Sequence, residues 1–318
     1  MIVVADFWLL SVALLFSMHQ ISVRKGTLKA DTLKGTFVSI ATTAVMFSVI
    51  SFVFLLQDSF WGYHFSGKFS DFLLLMIVAG LLHFFLARTV FYQCISRLGA
   101  NVAATLATTR IFFAAILGYL LLGETVGPKL ALAAVLVFAG VFVLTFHVVF
   151  DVYGIVLGLS TGFLTALASV FAREGMKTFP GVESAVIGTA VGYVSSLLAF
   201  YVFFYALRGV FCRPWRALKE VEDREKREEF KKGLENYLPF VAGGTFVGFG
   251  HLLRYVALSY CGVCLVETFV STYPLFTYAL SGIFVKKAEV FSLRFFASAA
   301  LIISGTVVLL SVPVPVKL

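Results

Sequence analysis

Charged residues are scarce in this sequence. Asp, Glu, Lys and Arg make up 13% of its 318 residues, where a soluble domain carries about 25%. That deficit excludes a water-soluble globule. Proline is rare as well, seven residues against 36 Phe, so apolar bulk runs through the whole chain with few breaks. The four cysteines, Cys94, Cys212, Cys261 and Cys264, are too scattered for a disulfide framework. Cys261-x-x-Cys264 is the one suggestive spacing. It lacks a second pair or nearby histidines and reads as two small apolar fillers. No phosphate-binding glycine loop occurs, so nucleotide-driven work would need another protein. A nucleophile with its base, or an acidic metal cluster, is also missing, which argues against a membrane enzyme. No bound cofactor and no nucleic-acid partner are expected.

What the chain has is long apolar runs. Crossing ~30 Å of hydrocarbon takes about 20 apolar residues in a helix, because lipid offers backbone groups no partners. Runs of this uniformity exclude the alternating strands of a barrel. The window predicts helices near 3–21, 36–56, 72–95, 100–122, 130–147, 152–172, 184–207, 239–259, 263–285 and 293–312. The first lacks the basic start and cleavage site of a signal peptide and reads as a membrane helix. Glycine-rich or charged breaks separate the runs, among them Arg97-Leu98-Gly99 and Phe179-Pro180-Gly181. The one long connection, residues 208–237, mixes acids and bases over Lys219 to Lys232 and reads as a surface helix. Glycines every fourth residue (Gly154, Gly158, Gly162; Gly188, Gly192; Gly244, Gly248) mark faces where helix backbones approach closely.

A spacing repeats between the halves. Arg88-x3-Tyr92-x6-Gly99-x5-Thr105 recurs as His251-x3-Tyr255-x6-Gly262-x5-Thr268, 163 residues later. An odd number of spans per half makes tandem copies insert in opposite orientation. The expected fold is therefore all-α and integral to the membrane, ten transmembrane helices in two inverted five-helix repeats, 1–147 and 152–312. Such repeats place one binding site at their interface, exposed alternately to either side.

The close turns Leu98-Gly99-Ala100 and Cys261-Gly262-Val263, Pro274 in the ninth span and Leu122-Gly123-Glu124 at the end of the fourth carry a family likeness. Together they resemble the EamA-type branch of the drug/metabolite transporter superfamily over nearly the whole chain. The resemblance implies a multi-pass plasma-membrane transporter whose partners are the lipid bilayer and a small-molecule substrate, with a homodimer left open. Two positions depart from the pattern. Ile111 stands where the first repeat often has proline, and Lys287 where the second would have glutamate, so the halves are not equivalent.

Arg88 and Arg110 lie eleven residues either side of Gly99, ~16 Å from the turn by helical rise, which is midplane depth. There an arginine costs at least ~2.5–3.5 kcal/mol unless it faces a polar interior. Arg254 and Glu267 fall at similar depths about Gly262 and are expected to neutralise each other, leaving Arg88 and Arg110 to hold an anionic solute such as a carboxylate or phosphate. The competing reading bonds them to helix carbonyls or Asp6. Tyr92, Tyr255, His251 and Thr109 are candidates to line the same cavity, and buried packing is the alternative for each. His83, His251 and Glu267 could carry protons. Pro274 frees the carbonyl near Val270 and predicts a kink at midplane.

Loops after odd-numbered spans hold 17 of the 25 Lys and Arg residues, the even loops and C-terminus five, and the membrane arginines the other three. The positive-inside rule then sets both termini outside. The family resemblance implies termini inside, and the two expectations conflict.

Overall fold

The computed structural model describes residues 2–56, 68–145, 151–203, 233–288 and 294–310. The surface helix expected near 219–232 lies outside them. The described regular structure is helical: α1 (Ile2–Thr27), α2 (Thr32–Leu55), α3 (Lys68–Gly80), a π-helical turn (Leu81–Ala87), α4 (Arg88–Ala107), α5 (Arg110–Leu122), α6 (Pro128–Thr145), α7 (Val152–Thr178), α8 (Val182–Tyr201), α9 (Leu238–Tyr260), α10 (Val263–Val270), α11 (Tyr273–Phe284), a short 3-10 turn (Lys286–Ala288) and α12 (Phe295–Leu310).

Six helical stretches among the described residues are long and apolar enough to cross a membrane. One of them, Lys68–Leu122, has 55 residues. As a straight rod it would reach ~80 Å, far more than a bilayer core. Gly99 resolves this. Its φ of 83° and ψ of 167° break the helix, and Arg88 and Arg110 on its two sides line one cavity, so the chain doubles back there. A side chain would be strained at that φ, which is why the turn carries glycine.

Sequence chemistry explains the other ends. Asp31 and Asp151 cap α2 and α7 by accepting from the amides of Lys34 at 2.8 Å and Gly154 at 3.1 Å. Arg97 hydrogen-bonds Asp151 at 2.7 Å and holds its carboxyl below the usual carboxylate range. Gly123, left-handed at φ 65°, ends α5. Two helices run past their expected ends. α1 continues through Arg24, Lys25 and Gly26 because Arg24 finds protein carbonyls in place of water, Ile95 O at 3.1 Å and Ala288 O at 2.8 Å. α7 continues through Arg173, which is ion-paired with Glu124 and does not belong to a solvated loop.

The helices pack in a crossed pattern. α1 lies on α9 and α11, while α7 lies on α3, α4 and α5; α2 packs on α8, and α6 on α12. Close approach is made by glycines. A Cβ on Gly80 would strike the backbone of Gly192, and one on Gly140 would meet Ser298 O at 2.8 Å. Large apolar side chains such as Val49, Phe52, Leu120, Leu198 and Ile283 are more than half exposed on the outside, a surface suited to lipid. Gly80→Ala should cost ~1–3 kcal/mol, since rigid backbone cannot yield. Thermal melting in detergent checks this, with the exposed Leu74→Val as the change that should leave the melt in place.

Candidate functional site

The site begins with the π-helical turn. Its wider coil lets the amide of Arg88 reach back to His83 O and turns His83 and Arg88 inward from consecutive turns; such insertions are frequent at functional positions. The Gly80–Gly192 contact brings α8 close enough for Tyr193 to stack on Phe84, ring centroids 3.8 Å apart. Arg88 then lies against the Tyr193 ring at 4.8 Å and donates from Nη2 to Tyr193 Oη. Its Nη1 has no hydrogen-bond partner among the described residues although the side chain is buried.

Arg110 sits just beyond a second helix irregularity. Thr108 and Thr109 turn their hydroxyls back onto the carbonyls of Thr105 at 2.6 Å and Leu106 at 2.8 Å, and the backbone tightens to i→i+3 bonding there. Ser271 and Thr272 separate α10 from α11 in the same way, with Thr272 Oγ1 donating to Phe269 O at 2.8 Å. The ninth-span expectation of a kink at Pro274 is thus refined: the break falls at Ser271–Thr272, and the partner break at Thr108–Thr109 forms without a proline. The two breaks are bonded across. Arg110 Nε donates to Ser271 Oγ at 3.1 Å, and Tyr273 Oη to Ala104 O at 2.7 Å. Arg110 also lies 4.9 Å from the Tyr273 ring centroid, and its Nη2 has no hydrogen-bond partner among the described residues.

Glu267 is wholly buried. Its Oε1 accepts from Arg254 Nε at 2.9 Å, from Arg254 Nη2 at 2.5 Å and from Ser169 Oγ at 2.9 Å. Its Oε2 lies 3.3 Å from Arg110 Nε but without hydrogen-bond alignment. The expectation of a self-contained Arg254–Glu267 pair therefore needs correction, because the carboxylate is shared with Arg110.

His83, Arg88, Arg110 and Tyr273 border one partly open cavity. About 60 Å³ in it is open to the centres of water-sized molecules, and one water takes ~10–15 Å³ on that measure, so it has room for a handful of waters or a compact solute. Its wall comes from both segments of the chain: His19 and Gln20 of α1, His83, Arg88, Arg110, Thr161 and Thr165 of α7, His251 of α9 and Tyr273. Of the sequence candidates, Arg88, Arg110 and His251 meet there. Tyr92, Tyr255 and Thr109 do not. Tyr92 Oη is bonded to Ser39 Oγ at 2.7 Å, Tyr255 Oη is buried with no partner among the described residues, and Thr109 bonds its own helix. His251 packs edge-on against His83, centroids 4.5 Å apart, and its Nδ1 has no partner among the described residues. Asp6 lies ten residues before the cavity residue Phe16 on the same helix, ~15 Å along its axis.

Sequence reasoning missed His19, Gln20, Thr161, Thr165, Tyr193 and Ser169. A usable signal was present for two pairs: adjacent polar residues inside the apolar run of α1, and Thr161–Thr165 one helical turn apart in α7. It also missed Arg173. Arg173 Nε lies 3.3 Å from Glu124 Oε1 and its Nη1 donates to Leu258 O at 2.5 Å, while Glu124 Oε2 accepts from the amide of Val263 at 2.7 Å. The Gly-Glu ending of α5 thereby clasps the Gly262 turn of the other segment.

A helical membrane protein with a buried, arginine-lined chamber fits a class of carriers, and comparison narrows it. Residues 3–146 match the model of the EamA-like transporter family. The first half of the chain is thus similar to this family, and its long apolar helices are those of a multi-pass membrane protein. No curated protein sequence matches it. A solved crystal structure superposes with a TM-score of 0.66 at 15% identity, covering 96% of this chain and 97% of the other, which shows a common fold.

Proposed function

We propose that the protein is a secondary transporter of a small organic solute, anionic in character, working by alternating access across the plasma membrane. Ten spans in two inverted five-helix repeats, 1–147 and 152–312, enclose the solute at midplane. The observation that carries this is the cavity itself, lined from both segments and holding two buried guanidiniums, each with a nitrogen that has no partner among the described residues. Several features support the inverted arrangement. The first helix of each segment packs on the third and fourth of the other, second packs on second, and last on last. The helix breaks at Thr108–Thr109 and Ser271–Thr272 recur at the same 163-residue offset as the Gly99 and Gly262 turns. Rocking about such an interface would open the chamber to one side at a time.

Purified protein in liposomes should give saturable uptake that is accelerated by unlabelled solute trapped inside. Leak without saturation or counterflow, against empty-liposome controls, would mean the protein is not a carrier. Loop charge sets both termini outside; a fusion reporter at Lys29 active on the external face would reverse that orientation and leave the transport reading intact.

A further inference from the structure

From the charges around the chamber we infer that the solute is a compact dianion, an oxyanion carrying two formal charges within a handful of non-hydrogen atoms. This rests on the transporter reading given above and specifies its substrate class. Arg88, Arg110 and Arg254 bring three guanidiniums to the chamber or its wall, and an arginine keeps its proton in a protein. The one carboxylate among the described residues bonded to them is Glu267. With the histidine rings counted neutral, the site holds two positive charges in excess, in a place where an uncompensated ion is costly.

The geometry says how those charges are offered. Arg254 spends Nε and Nη2 on Glu267, so it serves as structure. Arg88 and Arg110 each keep one terminal nitrogen without a partner, Nη1 and Nη2 respectively, on side chains 4% and 5% exposed. Two separate donors, each on its own cation, suit a ligand with acceptor oxygens at two places: a short dicarboxylate spanning them, or a tetrahedral dianion between them. A monocarboxylate offsets one of the two excess charges and leaves the other uncompensated. The volume sets the upper size, since ~60 Å³ of water-centre space takes several waters' worth of solute and excludes a nucleotide or an extended chain in this conformation.

The test uses purified full-length protein, titrated at constant ionic strength with malonate, sulfate, acetate and glycine while thermal melting is followed, and the same solutes as counterflow substrates in liposomes. Malonate or sulfate should bind at least about tenfold tighter than acetate or glycine, and which of the two wins separates the planar from the tetrahedral ligand. Arg88→Gln and Arg110→Gln should each bring dianion affinity down to that of acetate. Arg88→Lys, which keeps the charge and sheds the fork, should retain part of the preference. Equal affinity for malonate, sulfate and acetate in the wild type, or a preference untouched by both Gln changes, overturns the inference. If glycine or another uncharged solute shows counterflow without dianion preference, the dianion assignment falls and the carrier stands. If no solute exchanges at all, the carrier reading falls with it.

Discussion

Glu267→Gln is expected to destabilise the protein by ~3–5 kcal/mol, the cost of removing one partner from a buried ion pair. Glutamine keeps the shape and can still accept at one oxygen, so packing is hardly disturbed. What is lost is the one negative charge that Arg254 contacts through two nitrogens and that Arg110 faces at 3.3 Å. Thermal melting in detergent reads the effect. Because the cost comes from stranded cations, Arg254→Gln added to Glu267→Gln should recover part of the loss, a coupling visible in the double-mutant cycle. If the single change melted within a degree of wild type, or the double change fell further by the full sum, Glu267 would not be the counter-charge described here.

Glu124→Ala carries the second large effect. Its carboxylate caps the start of α10 through Val263 and faces Arg173, and both side chains are about one-sixth exposed. Losing a charged cap and leaving Arg173 with only Leu258 O costs ~1–3 kcal/mol. Since the clasp joins the two segments, the proposed rocking turns that energy into a population shift of roughly 5–150-fold between the two access states. Native thiols report it. Cys261 and Cys264 are buried beside the clasped turn, so their alkylation, mapped by mass spectrometry, should accelerate by about tenfold or more in Glu124→Ala. Alkylation of Cys94, buried on another helix face, serves as the measure of general loosening. Equal acceleration at all three would indicate unfolding in place of opening, and no acceleration would remove the clasp from the mechanism.

Depth was readable in the sequence and direction around the helix was not. Counting residues from Gly99 and Gly262 needs only the 1.5 Å rise; it puts Arg88 level with Arg110, and Arg254 level with Glu267, and each of these sets does converge in space. Whether a side chain turns to the chamber or to a neighbour depends on azimuth, and the π-helical turn before Arg88 and the tightened turn at Thr108–Thr109 both change azimuth without any strong sequence mark. That is why Thr109 lies outside the cavity wall, while Thr161 and Thr165 line it. Tyr92 has the right depth, but Ser39 on α2 captures its hydroxyl. Pro274 marked one break, standing at the start of α11 just past Ser271–Thr272, whereas the matching break at Thr108–Thr109 has no proline to announce it. Charge alone also misled at Arg173, because a basic residue near a helix end is read as facing water until its carboxylate partner, 49 residues away, is in view.

Arg24 and Arg173 occupy corresponding stations. One donates to Ile95 O, the other to Leu258 O, carbonyls 163 residues apart. Each also reaches across to the far end of the opposite segment, Arg173 to a carboxylate, Arg24 to the carbonyl of Ala288 beside Lys287. Each of these contacts ties one segment of the chain to the other, Arg173 through Glu124 and Arg24 through Ala288. Cutting either link would loosen the join between the same two segments at a different place, so the pair of arginines sets how stiffly the halves of the chain are held together.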